Sequence, residues 1–279
     1  MGRGREGIAM QWEYLTSSEL KKAVRSTGGV CVMAMGVIEK HSDHLPLGTD
    51  FLNGHRMACL AAEKEPAVVF PPFYFGQIYE ARCFPGAITL KPPLLLELLQ
   101  GVFDEIGRNG FKKIILQNAH GGNWNLLNFL AQASLWEEKP YSLYVQTQWL
   151  TEERKKIWNA LLETKEHGHA CECETSITMA CFPDLVKTDR IPRKPAKALN
   201  RLKHIPSFLS GIKWYSNYPE HYAGDARCAS LEKGKKLLAL LVDTLAEFIA
   251  AVKADQTSEK LNKEFFKRVK DFDFKMRPK

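Results

Sequence analysis

Val30-Cys-Val-Met-Ala-Met35, running into Gly36-Val-Ile-Glu-Lys-His-Ser-Asp-His-Leu-Pro-Leu-Gly-Thr-Asp50, is the stretch on which the fold turns. The first six residues are apolar without a break, the pattern of a strand covered on both faces of an α/β sheet. Glu39, Asp43 and Asp50, with His41 and His44, then crowd into the segment just beyond it. Open α/β sheets gather their ligand-binding groups at the carboxyl ends of strands. Carboxylates and imidazoles are also the donors that hydrolytic divalent metals such as zinc and manganese take. Glu39 and His41, two residues apart, share one side of an extended segment. Pro46 and Gly48 turn the chain so that Asp50 can return to them. Many surface loops carry acids and histidines that bind nothing, so this segment alone leaves a metal site and a solvated loop both open.

Two further clusters lie at element boundaries. Asn118-Ala-His-Gly-Gly-Asn123 follows the strand-like Lys113-Ile-Ile-Leu-Gln117 and precedes a helix-like run over 124–136. Gly121 and Gly122 permit backbone conformations closed to other residues and let a ligand come close. The plainer alternative is a tight turn capped by Asn123, with His120 solvated. His167-Gly-His-Ala-Cys-Glu-Cys-Glu-Thr-Ser176 is dense in ligand types, against the plainer reading of a polar helix start capped by Thr175 or Ser176. Three such clusters together are harder to dismiss than any one.

Outward from these, the chain alternates. Thr16, with Glu19 three residues on, predicts a capped helix over 16–25. Residues 55–65 read as a helix with Met57, Leu60 and Ala61 inward, 67–70 as a short strand, and 71–76 as an aromatic loop. Pro92 and Pro93 suit the first turn of an amphipathic helix over 92–109, with Leu95, Leu98, Leu99, Val102, Phe103 and Ile106 as its stripe. A strand at 141–146, a charged helix at 151–165 and a closing helix at 231–252 follow. Repeated strand, loop and helix units predict an α/β fold, a three-layer α/β/α arrangement with a mostly parallel central sheet. No repeat or clean linker divides the 279 residues, so one domain over 1–279 is expected, with 1–10 and about 254–279 as tails or arms. Residues 187–222 read as an irregular excursion: a lid, an arm gripping another subunit, or a plain loop. Leu261, Phe265, Phe266 and Val269 stand at helical spacing near the end.

Composition narrows the class. Hydrophobic residues at 45% and charged residues at 25% fit a globular protein rather than a disordered one. The net charge of +7 is not gathered in a stripe, since many basic residues lie at the two ends, which argues against a nucleic-acid partner. Seven scattered cysteines, an odd number without a Cys-x-x-Cys pair, point to reduced thiols and a cytoplasmic setting. No apolar run approaches a membrane span, and the basic residues 1–7 lack the apolar segment of a secretory signal.

In order along the chain, the motifs resemble those of the creatininase (creatinine amidohydrolase) family. The family's Glu-x-His-x-x-His-x-Pro-x-x-x-Asp stands at Glu39, His41, His44, Pro46 and Asp50. Its Asn-Gly-His-Gly-Gly-Asn is similar to 118–123, and its His-Ala-x-Glu-x-Glu-Thr-Ser to 169–176. Phe84-Pro-Gly-Ala and the late Gly224-Asp-Ala, continuing to Glu232-Lys-Gly234, extend the resemblance over about 12–250. It implies an amidohydrolase that cleaves a C–N bond of a small-molecule amide with metal-activated water. It implies two divalent ions per chain, zinc and/or manganese, with iron also accepted. Glu39, Asp50 and His120 would bind one ion, and His41 with a bridging Asp50 would help to bind the other. His169 would sit at the substrate and shuttle protons.

The departures from the family pattern carry expectations too. Some members carry a Glu two residues after the metal-binding His; here, as in many relatives, that position is a glycine, Gly122, and Glu172 is expected to supply the carboxylate as ligand and catalytic group. Trp149 falls where one substrate-holding ring lies, but the positions of two others fall at Gly121 and Lys165. Trp149, Gly121 and Gly122 are therefore the expected substrate contacts. Creatinine itself is disfavoured against another cyclic amide, a formamide or a small peptide amide. The resemblance further implies a homo-oligomer, a hexamer. A different dinuclear hydrolase such as a phosphoesterase, or a non-catalytic metal-binding protein, stays open as an alternative.

Overall fold

The computed structural model describes residues 10–272. Met10–Gln11 (β1), Val30–Met35 (β2), Val68–Val69 (β3), Lys113–Asn118 (β4) and Ser142–Gln146 (β5) form one sheet in the order β1-β3-β2-β4-β5. Every pairing is parallel. The helices are α1 (Ser17–Ser26), α2 (Thr49–Lys64), α3 (Pro92–Arg108), α4 (Trp124–Ala133), α5 (Glu152–Leu161), α6 (Glu172–Cys181), α7 (Lys213–Asn217), α8 (Leu231–Ala254) and α9 (Thr257–Lys270).

Strand alternation sorts β2 between two cores. Cys31, Met33 and Met35 pack with Leu99, Phe103 and Ile106 of α3 and Leu127 and Leu130 of α4. Val30, Val32 and Ala34 pack with Ala58, Ala61 and Ala62 of α2 and Leu245 and Ile249 of α8. The unbroken apolar run is thus a strand buried on both faces, and the three-layer α/β/α arrangement is the one found. Each large apolar side chain buried this way is worth roughly 1.5–3 kcal/mol.

The order of strands sets the site. From β2 the chain runs through α2 to β3 on one side, then through α3 across to β4 on the other. β2 and β4 are neighbours, with Met35 opposite Asn118 at their carboxyl ends. This is the switch point of the sheet, where a crevice opens between diverging connections.

Some boundaries differ from expectation. The expected cap at Thr16 is present as a full capping box with Glu19. Helix α2 starts at Thr49, not near 55, so Asp50 stands in its first turn. Helix α6 starts at Glu172, three residues before the expected cap, because Thr175 and Ser176 turn their hydroxyls back to the carbonyls of Ala170 and Glu172. Over 257–270 the expected tail is helix, with Phe266 buried. The expected tail at 1–10 lies, but for Met10, outside the described residues.

Candidate metal centre

Gly36 lets the chain leave β2 hard against α2: a Cβ there would stand 2.3 Å from the Phe51 nitrogen. This contact brings Asp50 back over the β2 exit. His41 Nε2 lies 3.0 Å from Asp50 Oδ1, and His41 Nδ1 lies 3.2 Å from the Glu39 carbonyl. From the β4 loop, His120 Nδ1 lies 2.8 Å from both Glu39 Oε1 and Asp50 Oδ2. All four side chains are buried. The sequence-predicted Glu39, His41, Asp50 and His120 therefore come together, from two neighbouring strands and the first turn of a helix.

The third cluster contributes His169 and Glu174. The backbone of His169 exchanges hydrogen bonds with Ala223, and its Nε2 donates to the Lys40 carbonyl at 2.7 Å. Its ring centroid is 4.2 Å from that of His41. Glu174, His41 and His169 bring one ligand atom each within 4.8 Å of one another, as do Glu39, Asp50 and His120. Glu174 accepts the Ala170 N–H at 2.5 Å.

Glu172 is not part of this centre, which corrects the expectation that it supplies the missing carboxylate. It is fully buried on another side of α6, ion-paired with Lys233. Its oxygens also accept the Glu163 N–H and both the N–H and hydroxyl of Thr164. Every acceptor it offers is in use. Within the same motif, Glu174 is the carboxylate that faces the histidines.

Gly122 has a physical reason. A Cβ at that position would stand 2.5 Å from His120 Nε2 and 3.1 Å from the Gln77 carbonyl. The imidazole occupies the space that a side chain would need. Gly121 faces open space, with nothing within 4 Å of a Cβ. Trp149 lines a cavity of about 530 Å³ with Trp124, Trp158, Met57 and Ile177, and Asp50 and Glu174 form part of the same wall. The Trp149 and Trp124 rings stand 6.2 Å apart.

The electrostatics fit a cation. Glu39 Oε1 and Asp50 Oδ2 are buried without a properly directed hydrogen bond, although His120 Nδ1 is close to both. Burial opposes charge on every group here. Even so, the two carboxylates hold His120 well above the ordinary imidazole range, and Asp50, Glu39 and Glu174 raise His41 to about 9 against its burial. Burial also pushes Glu174 up to about 8. Two carboxylates that draw protons onto buried imidazoles need positive charge, which a divalent ion supplies. Burial and the neighbouring His41 and His221 instead push His169 down to about 4, so that it is neutral near pH 7. His44 lies just outside: burial pushes it down to about 4, and its Nε2 meets the Thr175 hydroxyl at 2.9 Å.

One member of the centre was not foreseen. His221 Nε2 lies 2.5 Å from Glu39 Oε2. It comes from the far end of the 187–222 excursion, and no spacing or periodicity links it to Glu39.

Fold and centre together define a class: an α/β/α protein with a buried carboxylate–imidazole centre at the switch point of its sheet. The chain belongs to the creatininase family, whose profile, described as creatinine amidohydrolase, matches residues 13–249. It is a hydrolase of that family, among whose members a creatinine amidohydrolase and peptide peptidases act on carbon–nitrogen bonds. It is 24% identical over 266 residues to a 3-dehydro-scyllo-inosose hydrolase of Thermotoga maritima, covering 85% of this chain and 82% of that one. It is 28% identical over 248 residues to a mycofactocin precursor peptide peptidase of Mycobacterium ulcerans, covering 84% and 88%. A solved manganese form of creatininase shares the fold with a TM-score of 0.73 at 21% identity, over 88% of this chain and all of that one.

Proposed function

We propose that this chain is a metal-dependent amidohydrolase that cleaves a C–N bond in a small-molecule amide. The observation that carries this reading is the approach of Glu39 Oε1 and Asp50 Oδ2, both lacking a directed hydrogen bond, to His120 Nδ1 at 2.8 Å. Glu39, Asp50 and His120 would hold one divalent ion, and His41, Asp50 and Glu174 a second. Asp50 would serve both ions, because Oδ1 faces His41 and Oδ2 faces His120. Zinc or manganese suits these donors, iron also being compatible. Bound there, the ions would supply Lewis acidity to water and to the amide carbonyl.

The chain's own groups do the rest. His169 donates through Nε2 to the Lys40 carbonyl, which leaves Nδ1 as the atom that accepts a proton. A neutral imidazole at that place takes a proton from the attacking water and returns it to the leaving nitrogen. The cavity beside Asp50 and Glu174, walled by Trp124, Trp149 and Trp158, holds the body of the substrate. Its apolar rings suit a cyclic amide, a formamide or a short peptide amide bulkier than creatinine. Among the described residues no arginine lines it, and Lys155 in its wall is paired with Glu152, which favours an amide over a phosphoester.

We further propose a homo-oligomer, in which Leu199, Leu209 and Ile212 of the 187–222 excursion, all exposed in the single chain, would meet a second copy. All seven cysteines are unpaired thiols, in keeping with a cytoplasmic setting. No helix among the described residues is long and apolar enough to cross a membrane.

The test is elemental analysis of the native protein and of His120→Ala, followed by a screen of cyclic amides, formamides and short peptides. Near two divalent ions per chain, falling by at least one in the variant, with turnover of an amide, is the expected result. No metal after incubation with zinc and manganese would favour a non-catalytic role.

A further inference from the structure

His221 adopts φ +55°, a left-handed conformation that suits glycine and disfavours most side chains. Yet the position holds a buried histidine, packed against Phe84 at 5.4 Å and His169 at 4.7 Å between ring centroids. Such an outlier persists where its surroundings over-determine it. Here both ring nitrogens have partners. Nε2 lies 2.5 Å from Glu39 Oε2, and Trp214 Nε1 points at Nδ1 from 3.3 Å.

The indole nitrogen of tryptophan can only donate. Nδ1 must therefore accept, and the neutral ring carries its proton on Nε2, which donates to Glu39 Oε2. The same tautomer argues against His221 as a metal ligand. Nε2 would have to shed its proton, and Nδ1 could not take it while facing the indole N–H. With Oε2 held in this way, Glu39 presents Oε1 to His120 and Asp50.

We propose that His221 is a positioning residue for Glu39, its tautomer set by Trp214, so that the inner end of the 187–222 excursion is built into the metal centre. This rests on the metal-site reading above. Hydrogen-bonded partners of ligating carboxylates fix the ligand atom in place and strengthen binding. It also gives the excursion a part that a lid or a plain loop would not have. Trp214 stands on α7, which Arg201 fastens by donating to the carbonyls of Tyr215 and Ser216.

The test is zinc binding by calorimetry and the cobalt(II) absorption spectrum of the full chain, comparing wild type with His221→Gly, His221→Gln and Trp214→Phe. Glycine is at ease at φ +55°, so His221→Gly separates loss of the imidazole from backbone strain, and its metal-free melting curve checks the fold. Glutamine restores an N–H toward Glu39 and a carbonyl toward Trp214. The expected result is affinity weakened about 10- to 100-fold in His221→Gly. Trp214→Phe should weaken it less, His221→Gln should recover most of it, and the cobalt band of His221→Gly should shift. Wild-type affinity in His221→Gly would overturn the proposal. So would a glutamine variant no better than glycine, or tighter binding in Trp214→Phe, both of which mark a direct ligand. If the wild type binds neither metal, the metal-site reading itself fails and the positioning role of His221 falls with it.

Discussion

Glu172 and Glu174 show how much of the site depends on single positions. Both stand in the first turn of α6, two residues apart, and two helical steps of about 100° place them on nearly opposite sides. One meets Lys233 and the 163–164 backbone, the other His41 and His169. We predict that Glu174→Gln lowers the metal content by about one ion per chain with little change in the metal-free melt. Glu172→Gln should keep its metal but lose about 3 kcal/mol of stability, because Lys233 is left buried with its main partner neutral. Elemental analysis and denaturant melts on both variants separate the two outcomes. The sequence made the acids, the histidines and their order legible, since those rest on residue types and motif spacing. It did not reveal which glutamate faces inward, because that depends on where the helix starts. Nor did it reveal His221, whose contact with Glu39 spans 182 positions and is made only by the folded chain.

Between elements, the contacts that aim these residues are made where side chains are smallest. Helix α8 crosses α6 at Gly234, where a Cβ would stand 1.8 Å from the Ser176 carbonyl oxygen. Gly234→Ala must push the helices apart against backbone, and we predict a loss of about 3 kcal/mol or failure to fold, read as soluble yield and midpoint in urea. A second junction ties α3 to the start of β5. Tyr141 donates its hydroxyl to Asp104 at 2.6 Å, and Gln100 and Lys139 donate to the same carboxylate. Burial pushes Asp104 up, but these donors and the lysine charge hold it below the ordinary carboxylate value of 3.8. The contribution is therefore complete above that value and is lost as pH falls through the lower folded value. Urea melts on the acid side should show wild type losing stability below about pH 4, with Asp104→Asn flatter over the same range. The helices and strands were legible because burial imposes periods of 3.6 and 2 on the sequence. Junctions such as Gly234 against Ser176 follow no period, and appear only when two elements meet.

Over the whole molecule, the centre draws together groups from segments far apart in the sequence. Glu39 and His41 follow β2, Asp50 opens α2, His120 follows β4, Glu174 belongs to α6, and His221 closes the 187–222 excursion. Without a cation, these buried acids and imidazoles are held by hydrogen bonds alone, and Glu39 Oε1 and Asp50 Oδ2 lack even those. Ions bound there would link the first four of these parts directly and the excursion through Glu39, and because they would bind only the folded arrangement they would stabilise the whole. Free metal at about one hundred times its dissociation constant adds about 2.7 kcal/mol. For a chain of this size that corresponds to about 5–10 °C in melting temperature. We predict that chelation lowers the melting temperature by that amount, and that zinc or manganese restores it in the wild type but not in His120→Ala. Limited proteolysis should show where the loss is felt. The excursion meets the centre through Trp214, His221 and Glu39, so chelation should speed cleavage within 187–222 before it affects the sheet. Equal sensitivity with and without metal would mean that the excursion is held by its own packing and that the centre does not govern it.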